Sequence, residues 1–389
     1  MIPEIYPQNP RNEIVVGMPA DEYRAACGIS PSEIKIAAPE LSFGRAKGSP
    51  ARFKAQRDGL IPKPRKRAFE LGTLAHEMAL EKSYIVLTDE RLEQLEKLRI
   101  KRKTEQLYRE HRAKKFMCNF AEAKAFKQEH DRAPNKVEQK ELIRARAERE
   151  ASATTLNENS QEMVKYRANV AKDNAVLIDP SDSIHAQALA MNKALRMPFN
   201  SKASSLLRLS DPSRVEVSIF CVIEIPFGKT KIPIQLKGRP DLITGGGTLY
   251  DYKTAESVEL LDFSKETINR GYFLSMGMYL LMLQTLAKHS SKKTCDHYGL
   301  NKLSAVAYIA QEKTAPYEAV VYDAPESHTA AGQFFGKTAL MNLARCYLAE
   351  HNGESNAWRT NENTYLEDPF YPPAISAYIA NFSQGKDVA

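Results

Sequence analysis

The sequence predicts an α/β protein: a mixed central sheet flanked by helices, with a long helical insertion. Three observations carry this. Five β-branched, alternating runs lie at 214–225, 231–244, 248–254, 303–311 and 317–323. Helical patterns flank them at 68–81, 182–196, 263–289 and 325–350. Residues 88–175 differ from both, being rich in Lys, Arg, Glu, Gln and Ala and almost free of Gly and Pro.

Composition sets bounds on the rest. The chain has 389 residues, 43% of them hydrophobic, enough for a real core rather than wholesale disorder. Its 55 Lys and Arg against 48 Asp and Glu leave a formal charge of +7, which permits a polyanionic partner without demanding one. The five cysteines, Cys27, Cys118, Cys221, Cys295 and Cys346, are odd in number, scattered and free of CxxC pairs. That argues against a disulfide scaffold, a zinc ribbon and an iron–sulfur cluster, and for a reducing compartment. The opening MIPEIYPQNPRNEIVV is not expected to be a signal peptide, and the apolar stretch from Tyr272 to Leu286 is too short to span a bilayer. A soluble, cytoplasmic protein with no membrane partner is expected.

The elements follow in order. Residues 1–30 read as an irregular arm. In 29–41, Ser30 or Ser32 can cap a helix and Pro31 suits its first turn. SPARFKAQRDG (49–59) is a second short capped helix, IPKPRKR (61–67) a basic connector, and AFELGTLAHEMALE (68–81) a buried helix. In 88–175, Leu92, Leu95, Leu98 and Leu107 form a thin apolar stripe. Pro134 interrupts the pattern, which predicts two long helices folded back as a hairpin. This segment is expected to be a solvated, ion-paired hairpin, the alternative being a DNA-gripping or oligomer-forming arm built on Lys101–Lys103 and Arg112–Lys115. The turn signals PFGKT and GGG separate the first three strands, and the tail 353–389 is loosely specified.

The chemistry concentrates in GRPDLITGGGTLYDYKT (238–254). Asp251 and Lys253 stand two apart on a strand, so both leave the same face. Asp241 ends the preceding strand, and a hairpin over Gly245–Gly247 would bring its carboxylate to Asp251. Two such acids repel unless a divalent cation lies between them. A lysine beside them suits metal-assisted phosphodiester hydrolysis. The plain alternative is a surface ion pair on a hairpin.

The pattern GRPD–apolar–apolar…DYKT resembles the RecB-like branch of the PD-(D/E)xK nuclease superfamily. ISPSEIK, SPARFKA, FELGTLAHEMALE, VEVSIF and GYFLSMGMYL sharpen the resemblance to the exonuclease VIII (RecE-type) nuclease domain, over 29–81 and 180–350. The resemblance implies a restriction-endonuclease-like core. It divides the chain into 1–87, an arm and helices carrying GTLAH; 88–175, the charged insertion; 176–350, the catalytic core; and 351–389, a tail.

It also implies roles for particular residues. His76, Asp241, Asp251 and the Tyr252 carbonyl would hold the metal, Mg2+ with Mn2+ as substitute. Lys253 would be the catalytic lysine, and Glu216 an acidic position joining the metal shell. Ser275, four residues before Tyr279, stands where the family usually has glutamine. Tyr272 and Ser275 face DNA in this reading, and Arg65, Arg67, Lys237 and Arg239 are candidate phosphate contacts. The implied activity is a magnesium-dependent exonuclease that opens duplex DNA ends into single strands for recombination, of phage or prophage type. The implied partners are double-stranded DNA ends, a strand-annealing protein and further copies in a ring-like homo-oligomer. The rivals are a structure-specific or restriction-type endonuclease, and a non-catalytic DNA-binding or assembly protein.

Overall fold

The computed structural model describes residues 5–38, 48–61, 67–81, 84–113, 121–172, 175–208, 210–227, 229–303, 305–354 and 357–358. Arg65, the basic pair Lys114–Lys115 and most of the C-terminal tail lie outside them.

The chain is a mixed α/β protein. Strand Thr248–Ala255 runs parallel to Ala305–Glu312, which is flanked on its other side by antiparallel Ala319–Ala324. The remaining edge carries only the two-residue strand Leu242–Ile243. A second sheet pairs Ser218–Phe227 with Thr230–Gly238 and with Glu13–Val15. A single bridge, Val215 to Leu242, joins the two sheets.

One predicted strand is in fact two. The run 231–244 divides into Thr230–Gly238 and Leu242–Ile243 because Arg239, Pro240 and Asp241 leave the ladder. Proline has no N–H to donate, so the break falls where the ladder tolerates it least. The result is an uncovered strand edge from Asp251 onward, since Leu242–Ile243 pairs only with Leu249 and Tyr250.

The helix predicted at 263–289 is likewise two, Leu260–Asn269 and Tyr272–Ala287, broken at Gly271 with φ 62°. That left-handed backbone favours glycine. Tyr272–Ala287 is buried along most of its length and crosses Glu326–His351 closely. A Cβ on Gly332 would lie 2.1 Å from the Phe273 carbonyl oxygen, so only glycine permits this crossing.

The charged segment holds four helices among the described residues, not two: Asp89–Ala113, Ala121–His130, Lys136–Ser152 and Gln161–Lys172. Pro134 lies at one break, where Asn135 caps the next helix with a capping box to Glu138. These helices lie between two short parallel strands, Tyr84–Val86 and Val176–Ile178. No helix among the described residues is long and apolar enough to cross a membrane.

Candidate metal and phosphate site

The site forms at the uncovered edge of Thr248–Ala255, and three further segments deliver side chains to it. The helix Arg67–His76 has two stripes. Leu71, Leu74, Ala75 and Met78 are buried in a cluster with Tyr252 and Ile309, which fixes the helix against the sheet. Phe69, Gly72, Thr73 and His76 form the adjacent stripe and line a cleft of about 720 Å³. A wider π-helical turn, Glu77–Glu81, begins directly after His76.

His76 Nε2 lies 3.2 Å from Glu216 Oε1 and 3.2 Å from Asp241 Oδ1. These three are the group of metal-type ligands found within 4.8 Å of one another among the described residues. Asp241 sits in the break after Gly238, where its Oδ2 accepts the Tyr252 amide at 2.6 Å. Glu216 precedes the strand Ser218–Phe227 with φ 51°, and its own amide donates to the Asp241 carbonyl at 3.1 Å. A glutamate in that left-handed region is costly, of order 1–3 kcal/mol, and such residues concentrate where a side chain must be aimed.

Lys253 completes the arrangement. Its ammonium lies 2.8 Å from Asp251 Oδ1, 3.9 Å from Asp241 Oδ2, and donates to the Tyr252 carbonyl at 3.1 Å. The hairpin thus brings Asp241 and Asp251 to one lysine. Asp251 does not join His76, Glu216 and Asp241 in the compact ligand group, and the Tyr252 carbonyl is engaged by Lys253.

Charge follows from these contacts. Burial disfavours protonated His76, but the Asp241 carboxylate and its hydrogen bond, then Glu216, more than offset this and raise it to about 9. Burial raises Asp241, yet Lys253 and His76 outweigh it and hold its carboxyl down at about 2. For Asp251 burial wins over Lys253, with Asp241 adding repulsion, and its carboxyl is pushed up to about 6. Burial opposes the charge of Lys253, but Asp251 and then Asp241 keep it firmly protonated. Two buried acids are therefore pushed apart, one ionised and one readily protonated.

The donor set fits a divalent cation. Two carboxylates and an imidazole supply two oxygens and one nitrogen, a donor set that can hold a divalent metal ion once the imidazole is neutral. Asp251 Oδ2 is buried with no hydrogen-bond partner among the described residues. An orphaned acceptor of that kind costs about 1–3 kcal/mol unless a proton or cation reaches it.

Other expected contacts fall elsewhere. Lys237 is buried and donates to the carbonyls of Tyr23, Arg24 and Ala26. Arg239 donates to Ser218 Oγ and to the Met18 carbonyl, and stacks on Tyr23 at 4.6 Å. Both hold the N-terminal arm, so their proximity to Asp241 in sequence does not make them phosphate contacts. Ser275 is buried within its helix and is not among the residues lining the cleft. Tyr272 does line the cleft. Arg67 opens the helix Arg67–His76, and Arg65 lies outside the described residues. Lys35 and Arg270, which the sequence did not single out, also line the cleft. The signal for Lys35 was available: it is the single cation on a short helix otherwise built of apolar and capping residues.

No protein-family profile matches the chain, and no curated protein matches it. Among solved structures, a protein named "putative exonuclease" from Eubacterium rectale aligns over 93% of this chain and 99% of its own, at 10% identity and a TM-score of 0.44. A protein named SSO0001 aligns over 51% of this chain and 81% of its own, at 15% identity and a TM-score of 0.23. Both scores are too low to carry fold or function, so the reading of the site rests on its own geometry.

Proposed function

We propose that the protein is a metal-dependent nuclease with a PD-(D/E)xK active site, hydrolysing DNA phosphodiester bonds. The observation that carries the proposal is the meeting of His76, Glu216 and Asp241, from three separate segments, beside the Asp251–Lys253 pair at an open strand edge.

Glu216 and Asp241 would hold the ion together with His76, which has to give up its proton to do so, and Asp251 Oδ2 is a buried oxygen without a hydrogen-bond partner beside them. A bound divalent cation supplies charge neutralisation at the phosphate and a more acidic water. The chain supplies the rest. Asp241 stays ionised at neutral pH and remains a donor. Lys253 stays protonated, and Asp251 and the Tyr252 carbonyl fix where its charge lies. A cation held in advance stabilises charge as it develops on the phosphate, with no reorganisation during the reaction. Tyr272, whose ring centre is 5.5 Å from the Lys253 ammonium, walls the cleft on that side.

Within this reading the substrate is a duplex DNA end, the product is single strand for recombination of phage or prophage type, and the ion is magnesium or manganese. A strand-annealing protein and further copies of this chain are the partners the sequence resemblance favours. The test is incubation of end-labelled linear duplex and covalently closed duplex with magnesium, manganese or chelator. Metal-dependent loss of the linear substrate alone supports an exonuclease. Cutting of the closed circle supports the endonuclease rival. No cleavage of either with any divalent cation removes the nuclease proposal.

A further inference from the structure

Four Lys and Arg side chains line the cleft: Lys35, Lys253, Arg270 and Lys313. Three have a carboxylate at hand. Lys253 meets Asp251 at 2.8 Å, Arg270 meets Glu266 at 2.5 Å, and Lys313 meets Glu256 at 2.8 Å. Lys35 alone has no carboxylate within ion-pair distance among the described residues. It stands on the helix Pro31–Ala37, far in sequence from the metal and lysine cluster. The acid of that helix, Glu33, is occupied by the Ser30 amide and hydroxyl at 2.8 Å and 2.7 Å.

The position of Lys35 is fixed from below. Ile34 and Ala37, its neighbours on the helix, are fully buried in the main core. The Lys35 ammonium lies 5.8 Å from the centre of the Tyr272 ring, and the Lys253 ammonium lies 5.5 Å from the same centre. One aromatic ring therefore neighbours two lysines, from different elements, at one cleft. Burial disfavours the charge on Lys35 and Lys253 repels it, Asp251 attracts it only in part, Arg270 adds repulsion, and the group is drawn down to about 8. A half-buried cation with no carboxylate in ion-pair contact, next to a second cation, lowers stability. Such a cost is retained where an anion arrives to repay it, a common trade of stability against function.

We infer that Lys35 is a phosphate-binding residue, its ammonium taking a non-bridging oxygen of a nucleic-acid phosphodiester at or next to the phosphate held by Lys253. The inference rests on the nuclease reading for the identity of the phosphate. It does not need cleavage to be tested. The geometry differs from that of Arg270 and Lys313, whose charges are already answered by Glu266 and Glu256.

The experiment compares the full chain with Lys35→Gln and Lys35→Arg. Binding of a fluorescein-labelled duplex is followed by anisotropy in chelator over a salt series, and melting temperature is measured without DNA. Lys35→Gln is expected to weaken binding about five- to tenfold and to lower the slope of log affinity against log salt by about one contact. Lys35→Arg should restore most of both. The melting temperature of Lys35→Gln should equal or exceed that of the parent, because an unanswered charge has been removed. Unchanged affinity and slope in Lys35→Gln would overturn the inference. So would a lowered melting temperature in both variants, which marks a structural lysine. A parent that binds duplex but never cleaves with a divalent cation removes the nuclease reading and leaves the Lys35 result standing on binding. A parent that cleaves while Lys35→Gln binds normally removes the Lys35 inference alone. A parent that binds no duplex overturns both.

Discussion

Asp251 and Lys253 are two residues apart, and that spacing does two things in this fold. It places both on one face of the strand, and it lets a buried carboxylate hold an ammonium 2.8 Å away at the wall of the cleft. Replacing Lys253 with Ala should lower single-turnover cleavage on the order of a hundred- to a thousandfold, the usual cost of losing one preorganised charge. Manganese affinity should be kept, because His76, Glu216 and Asp241 do not include the lysine. Duplex affinity should fall by about what one phosphate contact is worth, as for Lys35→Gln, which is far less than the loss in cleavage. Parent-like cleavage in Lys253→Ala would reduce the residue to an ion-pair partner. His76 makes a second prediction. Its carboxylate neighbours raise it to about 9 from an ordinary value near 6.5, so its protonated form stabilises the folded chain. That contribution is complete below about pH 6.5 and is lost as pH rises through about 9. In chelator, the melting temperature of the parent should fall over this window, and that of His76→Gln should fall less. Matching slopes for the two would separate His76 from the carboxylates.

At the scale of elements, the site depends on interruptions rather than on regular structure. Pro240 ends one strand, which exposes the edge on which Asp241 meets the Tyr252 amide. Gly271 ends one helix, so that the next can begin with Tyr272 in the cleft. The helix Tyr272–Ala287 is then held by its crossing with Glu326–His351 at Gly332. Gly332→Ala would put a methyl 2.1 Å from the Phe273 carbonyl oxygen, and backbone has to move to relieve it. A loss of about 1–3 kcal/mol is expected by denaturant titration, as for other overpacked sites, with reduced cleavage because Tyr272 moves with its helix. A variant within about 0.5 kcal/mol of the parent would show that the crossing has room for a methyl group.

For the whole molecule, the four helices from Asp89 to Lys172 satisfy one another. Arg99 is buried yet bonds Glu96, Thr154 and the Ala151 carbonyl, all within the segment. Arg102 pairs with Glu162 and Arg149 with Glu122, again internally. The strands on either side run parallel, and the Leu87 amide donates to the Ile178 carbonyl at 2.7 Å. The segment is thus the crossover between two parallel strands: it leaves at Leu87, beside Ile178, and returns at Ala175 at the other end of the partner strand. Replacing 89–172 with a linker of about fourteen Gly and Ser residues, long enough for a parallel crossover, should leave a folded protein, because lengthening a flexible loop costs little. Metal-dependent cleavage should persist, measured beside the parent at matched concentration. Failure of the shortened chain to fold would make the segment part of the core.

The sequence by itself determined the mixed α/β character, because strand alternation and helical periodicity are local and survive without tertiary information. Ser30 capping with Glu33 and the Asp251–Lys253 spacing were legible for the same reason. The number of helices in the charged segment, the break at Arg239–Asp241 and the break at Gly271 were not, because a solvated or apolar run reads as continuous until packing divides it. Tertiary structure alone decided the assembly of the site. Periodicity could not place His76, Glu216 and Asp241 together across 165 residues of chain; only the resemblance suggested it, and folding brings them within 3.2 Å of His76. It also decided which cations face the cleft. Lys237 and Arg239, next to Asp241 in sequence, are turned inward to the carbonyls of the N-terminal arm, while Lys35, about two hundred residues earlier, reaches the cleft. Charge is read from sequence, but the direction a charged side chain takes is set by which carbonyls and carboxylates the fold places within its reach.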